Sequence, residues 1–272
     1  MTGAESMDST RAWAAVSRTA LGVARIRALE SAREDHLFDD PYAGNFVAAA
    51  EPVDPVPSRA SPVYRRLAFH VVIRTRFYDD YLLAAAAAGC TQVVLLAAGL
   101  DARAYRLAWP PGVRLFELDL DPLIGFKNAV LQPNSSDLRC ERQPVAVDLR
   151  EDWGSPLIAA GFDPGRPTAW LAEGLLVYLT AEESVALLSE VGRLSAARSR
   201  VATEAGRTAR TSVREVGRLT ALWKGGLDQN PASWLDDHGW RARTTDLATF
   251  AAGIGRPPSA QSDSGFVTAV RL

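Results

Sequence analysis

Hydrophobic and polar positions along this chain switch between a helical period and short, continuous apolar runs. From residue 8 to residue 29, Trp13, Val16, Ala20, Val23, Ala24 and Leu29 recur at helical spacing and predict a helical N-terminal segment. Residues 36–42 (HLFDDPY) predict a turn around Pro41. Residues 51–62 hold Pro52, Pro55, Pro57 and Pro62, which predicts a loop or mobile cover. A second helix is predicted over 64–88: Leu67, Val71, Phe77, Tyr81 and Leu82 form its stripe, an alanine run extends it, and Gly89 stops it.

Strands and helices then alternate. QVVLLA (92–97) is apolar and β-branched, as expected of a strand buried on both faces. VRLFEL (113–118), residues 143–147, TAWLA (168–172) and SRVAT (199–203) predict four more strands, with helices over 122–131 and 181–194. Residues 207–222 predict a polar helix that could serve as a lid or an insertion. A short helix (233–238), a strand (240–244), another short helix (246–253) and a closing strand, GFVTAVRL (265–272), complete the pattern. Repeated strand–helix units imply an α/β fold with a mainly parallel sheet wrapped on both faces. At 272 residues we expect one domain: a helical cover and proline-rich loop (1–62), a core (63–204), a lid (205–232) and closing strands (233–272).

Composition narrows the picture by exclusion. The chain is 47% hydrophobic and 23% charged with a net charge of −2, which gives no electrostatic reason to expect nucleic acid or an anionic membrane as partner. Two cysteines, Cys90 and Cys140, cannot build a disulfide framework, and no metal-ligand spacing appears. No signal pattern opens the chain and no apolar run nears the ~20 residues of a membrane span. A cytoplasmic protein is expected.

The informative residues are acids at strand ends. Asp119, Asp148, Glu173 and Glu204 each follow an apolar run, and ligands of open parallel sheets bind beyond those ends. A carboxylate after the second strand can accept both ribose hydroxyls of a nucleoside. One after the third can accept an adenine amino group while the amide of Leu149 meets a ring nitrogen. The turn after the first strand, Ala97 to Arg103 (AAGLDAR), has Gly99 as its only glycine. It is poorly suited to a pyrophosphate and better suited to a nucleoside with a short zwitterionic tail, which favours S-adenosylmethionine over NAD. On the preceding helix, Arg74 or Arg76 could pair with a ligand carboxylate, or both could line an exposed face.

The segments RTRFYDDYL, VVLLAAGLDARAYRL, FELDLDPLIGFK, VAVDLREDW and WLAEGLLVYLTAEE, in this order, resemble the leucine carboxyl methyltransferase family, in its bacterial S-adenosylmethionine-dependent branch. The resemblance implies the class I methyltransferase Rossmann-like fold, with a seven-stranded sheet whose last strand is antiparallel. It implies that Arg74 holds the methionine carboxylate of the cofactor and that Ala97 and Gly99 lie against its methionine and ribose. Asp119 would bind the ribose, Asp148 with Leu149 the adenine, and Glu173 the methionine amino group. Ala97 stands where many methyltransferases have glycine.

Methyl transfer from a sulfonium needs alignment and exclusion of water more than proton transfer. A carboxylate acceptor is already ionised near neutral pH and needs no base. A phenol or alcohol would profit from one, and Tyr178 and His70 are the candidates. The expected partner is a small-molecule acceptor such as a natural product. A NAD-dependent oxidoreductase and a non-catalytic cofactor-binding protein are the competing readings.

Overall fold

The computed structural model describes residues 18–50, 61–205, 223–258 and 264–272. Residues 8–17 of the first expected helix, the proline-rich stretch 51–60 and the expected lid helix at 207–222 lie outside the described residues.

Seven strands form one sheet: β1 (Gln92–Leu96), β2 (Arg114–Asp119), β3 (Glu141–Ala146), β4 (Thr168–Ala172), β5 (Arg200–Glu204), β6 (Trp240–Asp246) and β7 (Gly265–Arg271). Their spatial order is β3-β2-β1-β4-β5-β7-β6. β1 through β5 pair in parallel, whereas β7 runs antiparallel to both β5 and β6. Strand order reverses at β1, so the ends of β1, β2 and β4 open on one crevice.

Every residue of β1 and of β4 is buried, because successive side chains point to opposite faces and both faces are covered. Val93 and Leu95 enter one core with α3 (Pro62–Ala87), α4 (Arg103–Arg106), α5 (Asp121–Leu131) and α9 (Leu247–Gly253). Val94 and Leu96 enter the other, with α6 (Gly154–Ala159), α7 (Ala181–Arg193) and α8 (Pro231–Asp237).

Helix ends follow from local chemistry. Past α3, Gly89 takes a φ of 100°. Its amide donates to Ala86 and that of Cys90 to Ala85, satisfying the last carbonyls of the helix as only a left-handed C-terminal residue allows. Thr180 and Glu183 cap α7 reciprocally.

The first helix, α1, is described over residues 18–31 and packs beside the turn that follows β1. Arg27 pairs with Asp40 at 3.0 Å and donates to the carbonyl of Leu100 in the β1–α4 turn. A methyl group placed on Gly99 would meet Ala20 of α1 at 3.9 Å. Tyr64 packs with Ile26, Phe38 and Val71 between α1 and α3.

Three short helices went unforeseen: α2 (Ala43–Ala49), α4 and α6, of four to seven residues each, too brief to show a helical period. β3 begins at Glu141 rather than 143 and ends at Ala146. It is an edge strand, half exposed, and carries Pro144; charged Glu141 and Arg142 hide its start in the sequence.

Candidate active site

Four of the sequence-predicted residues meet in two pairs at the open ends of the central strands. The first pair joins Asp119, last residue of β2, to Gly99. Asp119 Oδ2 accepts the Gly99 amide at 2.7 Å and Oδ1 accepts the Leu120 amide at 2.8 Å. The carboxyl group is buried, with 7% of the residue exposed, and that burial raises its pKa above the ordinary aspartate value. Each oxygen holds one amide and retains acceptor capacity. Ala97 and Gly99 both adopt left-handed backbone, φ 53° and 55°. The turn therefore needs a positive φ at Ala97 as well, where glycine would be unstrained.

The second pair joins Arg74 of α3 to Glu173, the residue after β4. Arg74 Nε donates to Glu173 Oε1 at 3.0 Å. Glu204, the last residue of β5, stands behind them with Oε1 at 3.8 Å from Arg74 Nη1, and accepts the Gly174 amide at 2.8 Å. Arg76 instead turns to the surface, pairing with Asp80 and with the carbonyl of Leu37. Only one of the two arginines enters the cleft.

A further arginine does so as well, and sequence reasoning missed it. Arg103, at the start of α4, is 1% exposed. It donates to Glu173 Oε2 at 2.8 Å, to Asp79 Oδ1 at 2.6 Å and to Asp101. Asp79 also takes Arg106 at 2.6 Å, and Arg106 approaches Asp40. A chain of buried ion pairs thus runs from Arg27 on α1, through Asp40, Arg106, Asp79 and Arg103, to Glu173 and Arg74 at the cleft.

Electrostatics divide the carboxylates. Burial alone would raise Glu173, but Arg103 and Arg74 outweigh it and hold the group below its ordinary value. Glu204 lacks the second arginine. Burial pushes it up to about 7 against the pull of Arg74, and Glu173 adds to the rise. Asp101, among four cations, is held down to about 2 despite its burial.

The remaining predicted residues are less directly engaged. Asp148 lies two residues beyond β3, and its carboxylate is closed by Arg150, whose guanidinium donates at 2.9 and 2.5 Å. Leu149 packs against the second core. His70, one and two turns from Arg74 and Tyr78 on α3, is pushed down to about 4 by burial and by Arg74. Tyr178 sits half-buried in a 3-10 turn (Leu176–Tyr178). Tyr78 is fully buried, and among the described residues its hydroxyl has no hydrogen-bond partner although Glu204, Glu173, Arg74 and Arg103 lie near it. The spacing of His70, Arg74 and Tyr78 at four-residue intervals was the signal available for that face.

This sheet order, with β7 antiparallel between β5 and β6, is that of the class I S-adenosylmethionine-dependent methyltransferase fold. Solved structures agree on the fold. A DUF574-family protein from Streptomyces avermitilis superposes with a TM-score of 0.59 at 17% identity, covering 92% of this chain and 97% of that one. The magnesium protoporphyrin IX methyltransferase of Synechocystis PCC 6803, solved with bound SAH, gives 0.52 at 16% identity, covering 80% and 90%.

The chain belongs to the leucine carboxyl methyltransferase family, whose model matches residues 20–192. A protein of Parafrankia sp. (strain EAN1pec) bearing the name "Putative S-adenosyl-L-methionine-dependent methyltransferase" is 50% identical over 96% of this chain and 89% of its own. One of the same description from Streptomyces coelicolor is 45% identical over 93% and 94%. No helix among the described residues is long and apolar enough to cross a membrane.

Proposed function

We propose that this methyltransferase acts on a carboxylate oxygen of a small molecule, and that its cofactor lies across the Asp119–Gly99 and Arg74–Glu173 pairs. The observation that carries the placement is the charge pattern of the cleft: one arginine and one carboxylate in contact, with a buried acid some way along the same strand ends. That pattern complements a zwitterionic tail joined to a nucleoside.

Arg74 would receive the methionine carboxylate and Glu173 the amino group, each exchanging its present partner for the ligand. Asp119, desolvated and holding only two amides, would accept the ribose hydroxyls. Asp148 would take the adenine amino group once the Arg150 side chain, 55% exposed, swings away, with the Leu149 amide at the ring. The orphaned hydroxyl of Tyr78 fits a ligand that brings a polar group to this place.

When bound, S-adenosylmethionine supplies a methyl group on a sulfonium, with a neutral thioether as leaving group. The chain's own work is to hold the acceptor in line and to exclude water. A carboxylate acceptor agrees with the family's name and with the state of His70, which is too desolvated to gather a proton near neutrality. Glu204 accepts the Gly174 amide at 2.8 Å and stands 3.8 Å from Arg74. A phenol or alcohol acceptor is the second reading, in which Tyr178 is the available hydroxyl.

Calorimetry with S-adenosylhomocysteine, on the wild type and Asp119→Ala, tests the site: a variant binding as tightly as the wild type would sink the assignment. Labelled methyl transfer to panels of carboxylic and phenolic acids tests the acceptor. Products that release methanol in mild alkali are esters and support the carboxylate reading, whereas alkali-stable ethers overturn it.

A further inference from the structure

Glu204 is the one strand-end acid of the cleft left without a role, and its surroundings are specific. Among the described residues, the charged and titratable groups that face it are Arg74 and Tyr78 on α3 and Glu173 after β4; Arg103 and His70 stand one partner further off, at Glu173 and at Arg74. Across the sheet, Glu204 is paired with Phe266 of β7, which brings no charge. Glu173 takes both arginines, one on each oxygen. Glu204 is left with the Gly174 amide at 2.8 Å and a guanidinium nitrogen at 3.8 Å, beyond hydrogen-bond reach.

A ligand carboxylate arriving at Arg74 would make the balance worse for a charged Glu204. It would divert the one cation that, among the described residues, faces Glu204 directly, and set a second anion beside it. Two carboxylates that close cannot both stay ionised, and sharing a proton turns their repulsion into a hydrogen bond. The position of Glu204 near half-protonation, at about 7, makes that exchange inexpensive. The hydroxyl of Tyr78, fully buried beside the same groups and without a hydrogen-bond partner among the described residues, is a second donor for such a ligand.

We propose that Glu204 is a further cofactor-binding residue, which takes up a proton from solvent as the methionine carboxylate settles on Arg74 and then donates a hydrogen bond to that carboxylate. Tyr78 donates the second. The inference rests on the placement of the methionine tail at Arg74. It makes the neutral acid the binding form, so affinity falls as pH rises through 7.

Calorimetry at pH 7.0 in two buffers of different ionisation enthalpy reads the proton directly, with S-adenosylhomocysteine as probe. The wild type should take up about half a proton per ligand, and its affinity should fall several-fold between pH 6.5 and 8. Glu204→Gln, uncharged and still a donor, should bind within a few-fold of the wild type with uptake near zero and a flat profile.

A wild type that takes up no proton overturns the proposal. So does a Glu204→Gln protein with undiminished uptake, or one that folds and no longer binds. Asp119→Ala keeps the two ideas apart. If Asp119→Ala binds normally, the cofactor placement itself fails. If it loses binding while Glu204→Gln keeps the wild-type proton uptake, only the role of Glu204 falls.

Discussion

Arg74 Nε donates to Glu173 Oε1 at 3.0 Å across 99 residues of sequence, and the bond ties the middle of α3 to the end of β4. Because Arg103 holds the other oxygen at 2.8 Å, Glu173 stays ionised and oriented at the mouth of the cleft. A charge-assisted hydrogen bond is worth about 1.5–3 kcal/mol, or roughly 10–100-fold in affinity. Glu173→Gln should therefore weaken S-adenosylhomocysteine binding by about that factor. Calorimetry on the variant decides it, and an affinity within threefold of the wild type would remove Glu173 from the site.

Arg103 should matter more to stability than to binding. It is 1% exposed and answers Asp79, Asp101 and Glu173 at once. Removing one partner of such a buried set typically costs about 3–5 kcal/mol, because the others remain charged and uncompensated. Arg103→Met should lower the urea midpoint by that equivalent. Arg103→Lys should recover only part, since an ammonium cannot reach three carboxylates as a guanidinium fork does. Equal loss in Met and Lys variants would mean that geometry alone, not charge, is what Arg103 supplies.

The sequence showed the sheet better than it showed this network. β1 and β4 were legible because burial on both faces forces a continuous apolar run, VVLL in β1 and AWLA in β4. Asp119, Glu173 and Glu204 were legible because strand ends are local events. Arg103 was not, since in DARAYRL it resembles any arginine on a helix, and only tertiary packing buries it. Asp148 was found as an acid, but Arg150 covering it depends on a rotamer that no sequence pattern encodes. The proton-holding state of Glu204 likewise depends on which carboxylate the arginines favour, a question of ångströms.

The turn after β1 offers a test of backbone strain. Ala97 and Gly99 both sit in the left-handed region, which costs an L-residue about 1–2 kcal/mol. A methyl group on Gly99 would meet nothing nearer than 3.9 Å. Gly99→Ala should thus cost about 1–2 kcal/mol through backbone strain alone. Ala97→Gly should be near neutral: relief of strain is offset by greater freedom of the unfolded chain, about 0.4–1 kcal/mol, and by a lost methyl contact of about 0.8 kcal/mol or less. Denaturant melts of the two variants check both. A large loss in Ala97→Gly would mean that the methyl packing outweighs the strain.

Glu204 makes stability depend on pH in a direction opposite to most acids. Its folded pKa, about 7, lies above the ordinary glutamate value of 4.5, so the folded protein holds a proton that the unfolded chain releases. The stability this provides is complete below pH 4.5 and is lost as pH rises through 7, where the buried group must ionise. By linkage the loss is about 3 kcal/mol, an upper figure because Arg74 can shift toward the charge. Glu204→Gln cannot ionise and should escape it. Urea unfolding at pH 5 should give wild type and variant nearly equal midpoints. At pH 8 the variant should be the more stable by up to that amount. A variant weakened equally at both pH values would show instead that Glu204 is a charged partner of Arg74 throughout, with its proton already gone below neutrality.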